Sequence, residues 1–236
     1  MYTPPFFRED RADVLAAVIR DRPLAALVVA AGGGFEVNHV PCLLVGAAAP
    51  GAGVLRAHVS RANPLARLAG PAVPAVAIFT AAEGYVSPSW YPEKAETGRV
   101  VPTWNYVVVH VHGTLRLHED AAWLAGQTAA LTAQQESGRA VPWSPDAAPP
   151  DYVAAQLSGI TGLELAIGRI EGKWKLGQNR SRADRLGMAA GLEAEPGGRP
   201  LALAAEVRRA LDASCARRRR RAGLTRRVSA RAASRR

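Results

Sequence analysis

Several residue types are scarce in this chain of 236 residues, and each scarcity excludes something. Only three lysines, Lys94, Lys173 and Lys175, stand beside 27 arginines, so those three positions point to a need for a compact ammonium. Two cysteines, Cys42 and Cys215, lie too far apart in sequence to suggest a disulfide framework, and a reduced, cytoplasmic protein is expected. There is no run of about 18 apolar residues, which excludes a transmembrane helix. Acidic Glu9, Asp10 and Asp13 stand where a secretory signal would need a basic and then apolar start. Acids are also missing from Arg217 to Arg236, where ten arginines sit among Ala, Ser and Thr.

The net charge of +10 therefore belongs to that tail, because the rest of the chain carries 20 basic and 20 acidic side chains. A body in electrical balance does not read as a nucleic-acid binder, whereas residues 215–236 read as a disordered basic extension with sequence-independent attraction for DNA phosphates. Alanine accounts for 47 of the apolar residues, leaving about 66 larger ones or Cys. That suffices for one domain over residues 1–214.

Glu9 to Arg22 places Val14, Leu15, Val18 and Ile19 on one helical face, and Pro23 stops it. Leu24–Ala30, Val37–Val45, Val54–Val59 and Val73–Phe79 read as strands separated by Gly-, Ala- and Pro-rich turns. From Val107 to His118 the alternation is nearly strict, with Val107, Val109, Val111, Leu115 and Leu117 on one face and His110, His112, Thr114, Arg116 and His118 on the other. A helix is predicted from Asp120 to about Glu136, a Pro-rich loop over Val141–Pro150, and a strand over Leu163–Leu176. Ser181 with Asp184 reads as a helix start, and Leu201 to about Asp212 as a last amphipathic helix. Helical additions thus fall at about 120–160 and 181–213. The fold class is α+β with a meandering antiparallel sheet that can close as a barrel.

Only four asparagines occur, Asn38, Asn63, Asn105 and Asn179, and five of the fourteen aromatics crowd into one window as Tyr85, Trp90, Tyr91, Trp104 and Tyr106, so the rare polar and aromatic types converge on a few segments. These are His58-Val59-Ser60-Arg61-Ala62-Asn63-Pro64, Tyr85 to Pro92 with Ser87 and Trp90, Val101 to Tyr106, and Ile170 to Arg180. In a site for a flat phosphorylated ligand, Ser60, Arg61 and Asn63 could bind phosphate oxygens by charge-assisted hydrogen bonds. Trp or Tyr would flank the ring, and Asn or Gln would meet its carbonyls and nitrogens. The plainer reading is that Asn63-Pro64 and Ser87-Pro88 are turn chemistry and that Trp90 and Trp104 are core.

These segments, with the opening Met1-Tyr2-Thr3-Pro4-Pro5-Phe6-Phe7 and Asn38-His39-Val40-Pro41, resemble the PaiB-type FMN-binding negative transcriptional regulators over residues 1 to about 212. The resemblance implies a split β-barrel like that of flavin reductases, usually a homodimer with FMN at the subunit interface. It assigns the phosphate to Ser60, Arg61 and Asn63 in the run that begins at His58, and the segment beside the flavin to Thr103, Trp104 and Asn105. Ser87 and Trp90 belong to a third matching run. Lys173, Trp174, Gln178 and Arg180 match a late motif that would reach across the dimer. Gly177 departs from the family pattern, which has Ser there.

Other motifs fail on spacing. Gly168 to Trp174 is one residue short of a phosphate loop and lacks its Ser or Thr. His110 and His112 lie about 6.6 Å apart along a strand and could share a metal, but without a visible Cys or carboxylate partner they read as a polar strand face. There is no Gly-x-Ser-x-Gly elbow or His-Glu-x-x-His helix. The expected function is an FMN-binding regulator, with DNA contact direct or through the tail. The alternative is an FMN oxidoreductase using NAD(P)H, and haem ligation by His39 or His58 comes last.

Overall fold

The computed structural model describes residues 1–68 and 72–212; the basic tail and Cys215 lie outside them. It divides into two compact units. Unit 1 comprises Met1–Thr3, Arg8–Ala81 and Val108–Lys173, and unit 2 takes Pro4–Phe7, Ala82–Val107 and the chain from Trp174 onward.

The strands are β1 (Arg8–Glu9), β2 (Leu24–Ala31), β3 (Gly34–Pro41), β4 (Leu43–Gly46), β5 (Gly53–Ser60), β6 (Val73–Val86), β7 (Thr103–His118) and β8 (Ile160–Lys175). They form one sheet in the order β3-β2-β6-β7-β8-β5-β4, with β1 paired to β8. β2 pairs antiparallel with β3 and β6, β5 with β4 and β8, and β1 with β8. The fold is α+β, of the split β-barrel type.

Within unit 1 the closure has a covalent cause. β3 and β4 are the two ends of the strand order, yet only Cys42 separates them in sequence, and one residue spans no more than about 3.6 Å. The two edges must therefore meet. β3 also contacts β5, and Asn63 Nδ2 donates to Asn38 Oδ1 across that seam at 2.7 Å. Val37–Val45 was expected as one strand; it is two, β3 and β4, with Cys42 between them, whose N–H bonds the Pro23 carbonyl at 2.8 Å in continuation of the β2–β3 register.

The alternation read in β7 holds: Val107, Val109, Val111 and Leu115 are buried while Thr114 and Arg116 are exposed. At Gly113 a Cβ would run into the Ala166 carbonyl, so only glycine permits the approach of β7 to β8 there. Leu27, Leu55, Ala57, Ala77, Leu115, Leu163 and Leu165 leave a void of about 10 Å³ among them, about one water's worth. That part of the interior of unit 1 is filled by its own side chains.

Helix α1 (Ala12–Asp21) packs on β4, and α3 (Ala121–Glu136) on β4, β5 and the helix α4 (Pro150–Ser158). α4 lies inside the span of about 120–160 where helical additions were expected, although it was not singled out there; Pro150, read as the end of a loop, stands in its first turn, where the missing N–H costs nothing. In unit 2, α2 is Glu93–Thr97 and α5 is Arg182–Ala194, and α6 covers residues 198–212. Met188, Ala189 and Leu192 of α5 are buried, as are Leu203, Val207 and Leu211 of α6. Ser181 caps α5 as expected: its Oγ accepts from the Asp184 N–H at 3.0 Å and donates to Asp184 Oδ2 at 2.8 Å. Among the described residues no helix is long and apolar enough to cross a membrane.

Candidate functional site

In unit 1 the chain leaves β5 through a tight turn. The Asn63 N–H donates to the Ser60 carbonyl at 2.9 Å, and the Arg61 N–H to the Gly159 carbonyl at 2.9 Å. Asn63 Oδ1 accepts from the Leu65 N–H at 2.9 Å and so caps the 3₁₀ turn Pro64–Arg67. With its amide also bound to Asn38, Asn63 is largely committed to the fold. Ser60 and Arg61 are less so. Ser60 Oγ accepts from the Ala62 N–H at 3.2 Å, which leaves the hydroxyl proton to give. The Arg61 side chain is 48 % exposed; its Nη2 donates to the Ile160 carbonyl at 3.3 Å and its Nη1 lies 3.9 Å from the exposed Glu119 Oε1. His58 turns under α3, with Nδ1 2.9 Å from Gln127 Oε1. It lines a mostly apolar cleft of about 260 Å³ with Thr128, Trp143, Tyr152 and Gln156.

Unit 2 gathers a second set. Lys175 Nζ donates to Thr103 Oγ1 at 2.7 Å and to the Trp104 carbonyl at 2.6 Å, and lies 5.8 Å from the Tyr106 ring centre. A guanidinium is too broad to serve both oxygens from one nitrogen, which accounts for lysine in an arginine-rich chain. Trp104 is 56 % exposed and meets Tyr85, 48 % exposed, edge to face at 6.4 Å. Lys175 and Tyr85 were not among the expected site residues; the rarity of lysine was the signal for the first.

Other expected residues have structural partners. Ser87 caps the turn Pro88–Trp90 by accepting from the Ser89 N–H at 3.2 Å. Trp90 seats on α5 over Gly187 and Gly191, where a Cβ at either would collide with it. Asn105 is buried and donates to Met188 Sδ at 3.0 Å. Gln178 closes the turn after β8: its Nε2 donates to the Trp174 carbonyl at 2.6 Å and its Oε1 accepts from the Leu176 N–H at 2.8 Å. Gly177 in that turn has φ +75° and Met188 Cε 3.1 Å from where a Cβ would be, so glycine here supplies a left-handed turn. Arg180 donates to Glu93 Oε2 at 3.2 Å and lies over the Tyr91 ring at 5.1 Å. In unit 1, Lys173 is buried and donates to the Tyr2 carbonyl at 3.0 Å.

In unit 1 the sheet also brings Glu171 to the histidines His110 and His112 of the polar face of β7, a link the sequence reading did not make. His112 Nε2 lies 3.0 Å from Glu171 Oε2, and Arg169 Nη1 lies 2.6 Å from Glu171 Oε1. Burial pushes the Glu171 carboxyl upward, but hydrogen bonds from the Met1 nitrogen and His112, with the charge of Arg169, hold it below the usual carboxylate range. Burial, then the neighbouring His112, lowers His110. Glu171 is 59 residues from His112, and only the pairing of the sheet brings them together.

Comparison with known proteins agrees with this architecture. Residues 1–169 match the family described as "Putative FMN-binding domain". An uncharacterized protein of Emericella nidulans is 30% identical over 227 residues, covering 82% of this chain and 90% of that one. The Protease synthase and sporulation protein PAI 2 of Bacillus subtilis is 26% identical over 195 residues, covering 83% of this chain and 90% of that protein. Among solved structures, the FAD and heme binding protein from Mycobacterium smegmatis superposes with a TM-score of 0.53 at 20% identity, over 78% of this chain and 80% of that one; this likeness is one of fold. Taken unit by unit, the donor types suit parts of FMN: in unit 1, Arg61 and Ser60 offer charged and hydroxyl donors of the kind a phosphate takes; in unit 2, the exposed Trp104 and Tyr85 offer aromatic surface of the kind a flat ring takes.

Proposed function

Since the chain belongs to the FMN-binding domain family, with FMN as its cofactor, we propose that it is a homodimeric negative regulator of transcription of the PaiB type. The observation that carries this reading is the similarity to PAI 2, which runs over 90% of that protein and so concerns the whole architecture. Bound FMN supplies a redox-active ring and a phosphate of double negative charge. Arg61 and Ser60 are assigned to the phosphate, with His58 and Asn63 holding the turn that presents them. Thr103 and Trp104 are assigned to the flavin, and Ser87, Trp90, Asn105, Lys173, Trp174, Gln178 and Arg180 set the loops around those contacts. The homodimer is supported by apolar side chains at the β3 edge, where Phe35 is 76% and Val37 56% exposed, as a second copy would cover them.

Titration with FMN, followed by flavin fluorescence quenching, tests the cofactor assignment. Arg61→Ala is expected to weaken binding by about 1.5–3 kcal/mol, the worth of a charged hydrogen bond. Equal affinity would move the phosphate elsewhere. For regulation, the FMN-loaded protein is expected to occupy discrete genomic sites by chromatin immunoprecipitation, and no enrichment would overturn the reading. Rapid bleaching of the flavin by NADH or NADPH under anaerobic conditions would replace it with an oxidoreductase. Deleting residues 217–236 separates the tail's contribution, which is expected to appear as a steep salt dependence of DNA affinity.

A further inference from the structure

The polar face of β7 was set aside as a metal site for want of a carboxylate, and the sheet supplies one. His110 and His112 lie on one face of the strand, with ring centres 6.2 Å apart, and Glu171 of β8 reaches the same place. One ligand atom from each of the three lies within 4.8 Å of the others, and all three residues are half-buried in unit 1. In a tetrahedral zinc site with bonds of about 2.0–2.1 Å, neighbouring ligand atoms stand roughly 3.3 Å apart. The His112–Glu171 separation of 3.0 Å is already close to that edge length. The longest gap, at most 4.8 Å, exceeds that edge length and is the one that binding of an ion would have to close.

The geometry points to a three-ligand site for a divalent first-row metal ion such as Zn²⁺, formed by His110, His112 and Glu171. Two imidazoles and one carboxylate suit a borderline ion, whereas Mg²⁺ and Ca²⁺ take oxygen-rich shells. Arg169 engages Glu171 Oε1 and thereby orients the carboxylate so that Oε2 faces the histidines, as outer-shell partners of metal ligands do. The Met1 nitrogen lies 3.1 Å from Oε2 and is the group that an ion would displace. A polar cavity of about 180 Å³ adjoins the carboxylate, lined by Glu171 with Met1, Thr3, Arg8, Asp10 and Gly172. Three protein ligands leave at least one coordination position open to water or an exogenous anion.

The test uses the full, untagged, FMN-loaded chain stripped with EDTA and then titrated with Co²⁺, followed by its visible ligand-field bands, with Zn²⁺ as competitor. One ion per chain is expected, displaced by Zn²⁺. The double variant His110→Ala/His112→Ala, checked for retained FMN and far-UV circular dichroism, is expected to bind at least about 100-fold more weakly, in line with the loss of metal ligands. Nitrogen-15 spectra of the wild-type imidazoles give a readout that needs no variant, and two of the five histidines are expected to shift with Zn²⁺. Absence of saturable binding to the wild type, unchanged binding in the double variant, or shifts at other histidines would each overturn the proposal.

Discussion

The seating of Trp90 on α5 gives a quantitative expectation. At Gly191 a Cβ would lie 2.6 Å from Trp90 Cδ1 and closer still to Cγ and Cδ2. Carbon atoms rest at about 3.5–4.0 Å, so Gly191→Ala forces the indole and α5 apart by about 1 Å. Such overpacking costs about 1–3 kcal/mol. The same substitution also gains about 1 kcal/mol of helix propensity, so the net change is a loss of up to about 2 kcal/mol. Gly126 provides the control. It lies inside α3 with nothing within 4 Å of its added Cβ, so Gly126→Ala should raise stability by about 1 kcal/mol. Urea denaturation monitored by circular dichroism, each variant read against the wild-type midpoint of the transition it perturbs, measures both. The gap between them is the packing term, about 1–3 kcal/mol. If Gly191→Ala is as stabilising as Gly126→Ala, Trp90 does not rest on that helix and its ring is available to a ligand.

Two other expectations concern single groups. Burial pushes the Cys42 thiol up to about 12, while an unfolded thiol ionises near 8.5. The native state therefore holds a proton that the unfolded state releases: the stability is complete below about pH 8.5 and is lost as pH rises toward 12, at about 1.4 kcal/mol per pH unit. Cys42→Ala should flatten the stability profile between pH 8.5 and 10.5, and parallel profiles would place the thiol in a more polar setting. Ser181→Ala removes the cap of α5 and is expected to cost about 1 kcal/mol in the urea midpoint, with Ser181→Asn restoring most of it; no change would mean that Asp184 holds the helix start alone.

What could be read in the sequence was local. The faces of β7 followed from its alternation, and the start of α5 from Ser181 and Asp184, because neighbours in the chain set both. The helix α4 was hidden by Pro149 and Pro150, whose usual meaning is a break. Asn63 and Ser87 stood out as unusual residues, but only hydrogen bonds show that they cap turns. Gly187 and Gly191, one helical turn apart, drew no comment in the sequence, because only the packing of Trp90 against them shows what they are for. Ser60, Arg61, Thr103 and Trp104 were singled out by composition together with the family resemblance. The joining of His112 to Glu171 depends on strand pairing and had no local trace.

The pairing of β5 with β8 has a consequence for biosynthesis. Val54 to Ser60 bond to Ala166 through Ile160, so about 100 residues must be translated after β5 before its partner exists. At about 5–20 residues per second this takes roughly 5–20 s. Until then one rim of β5 offers unpaired amides and carbonyls beside Leu55, Ala57 and Val59, side chains that are buried only in the finished fold. A nascent chain in that state is a substrate for chaperones that bind extended apolar segments, and stalling translation before residue 160 would prolong it.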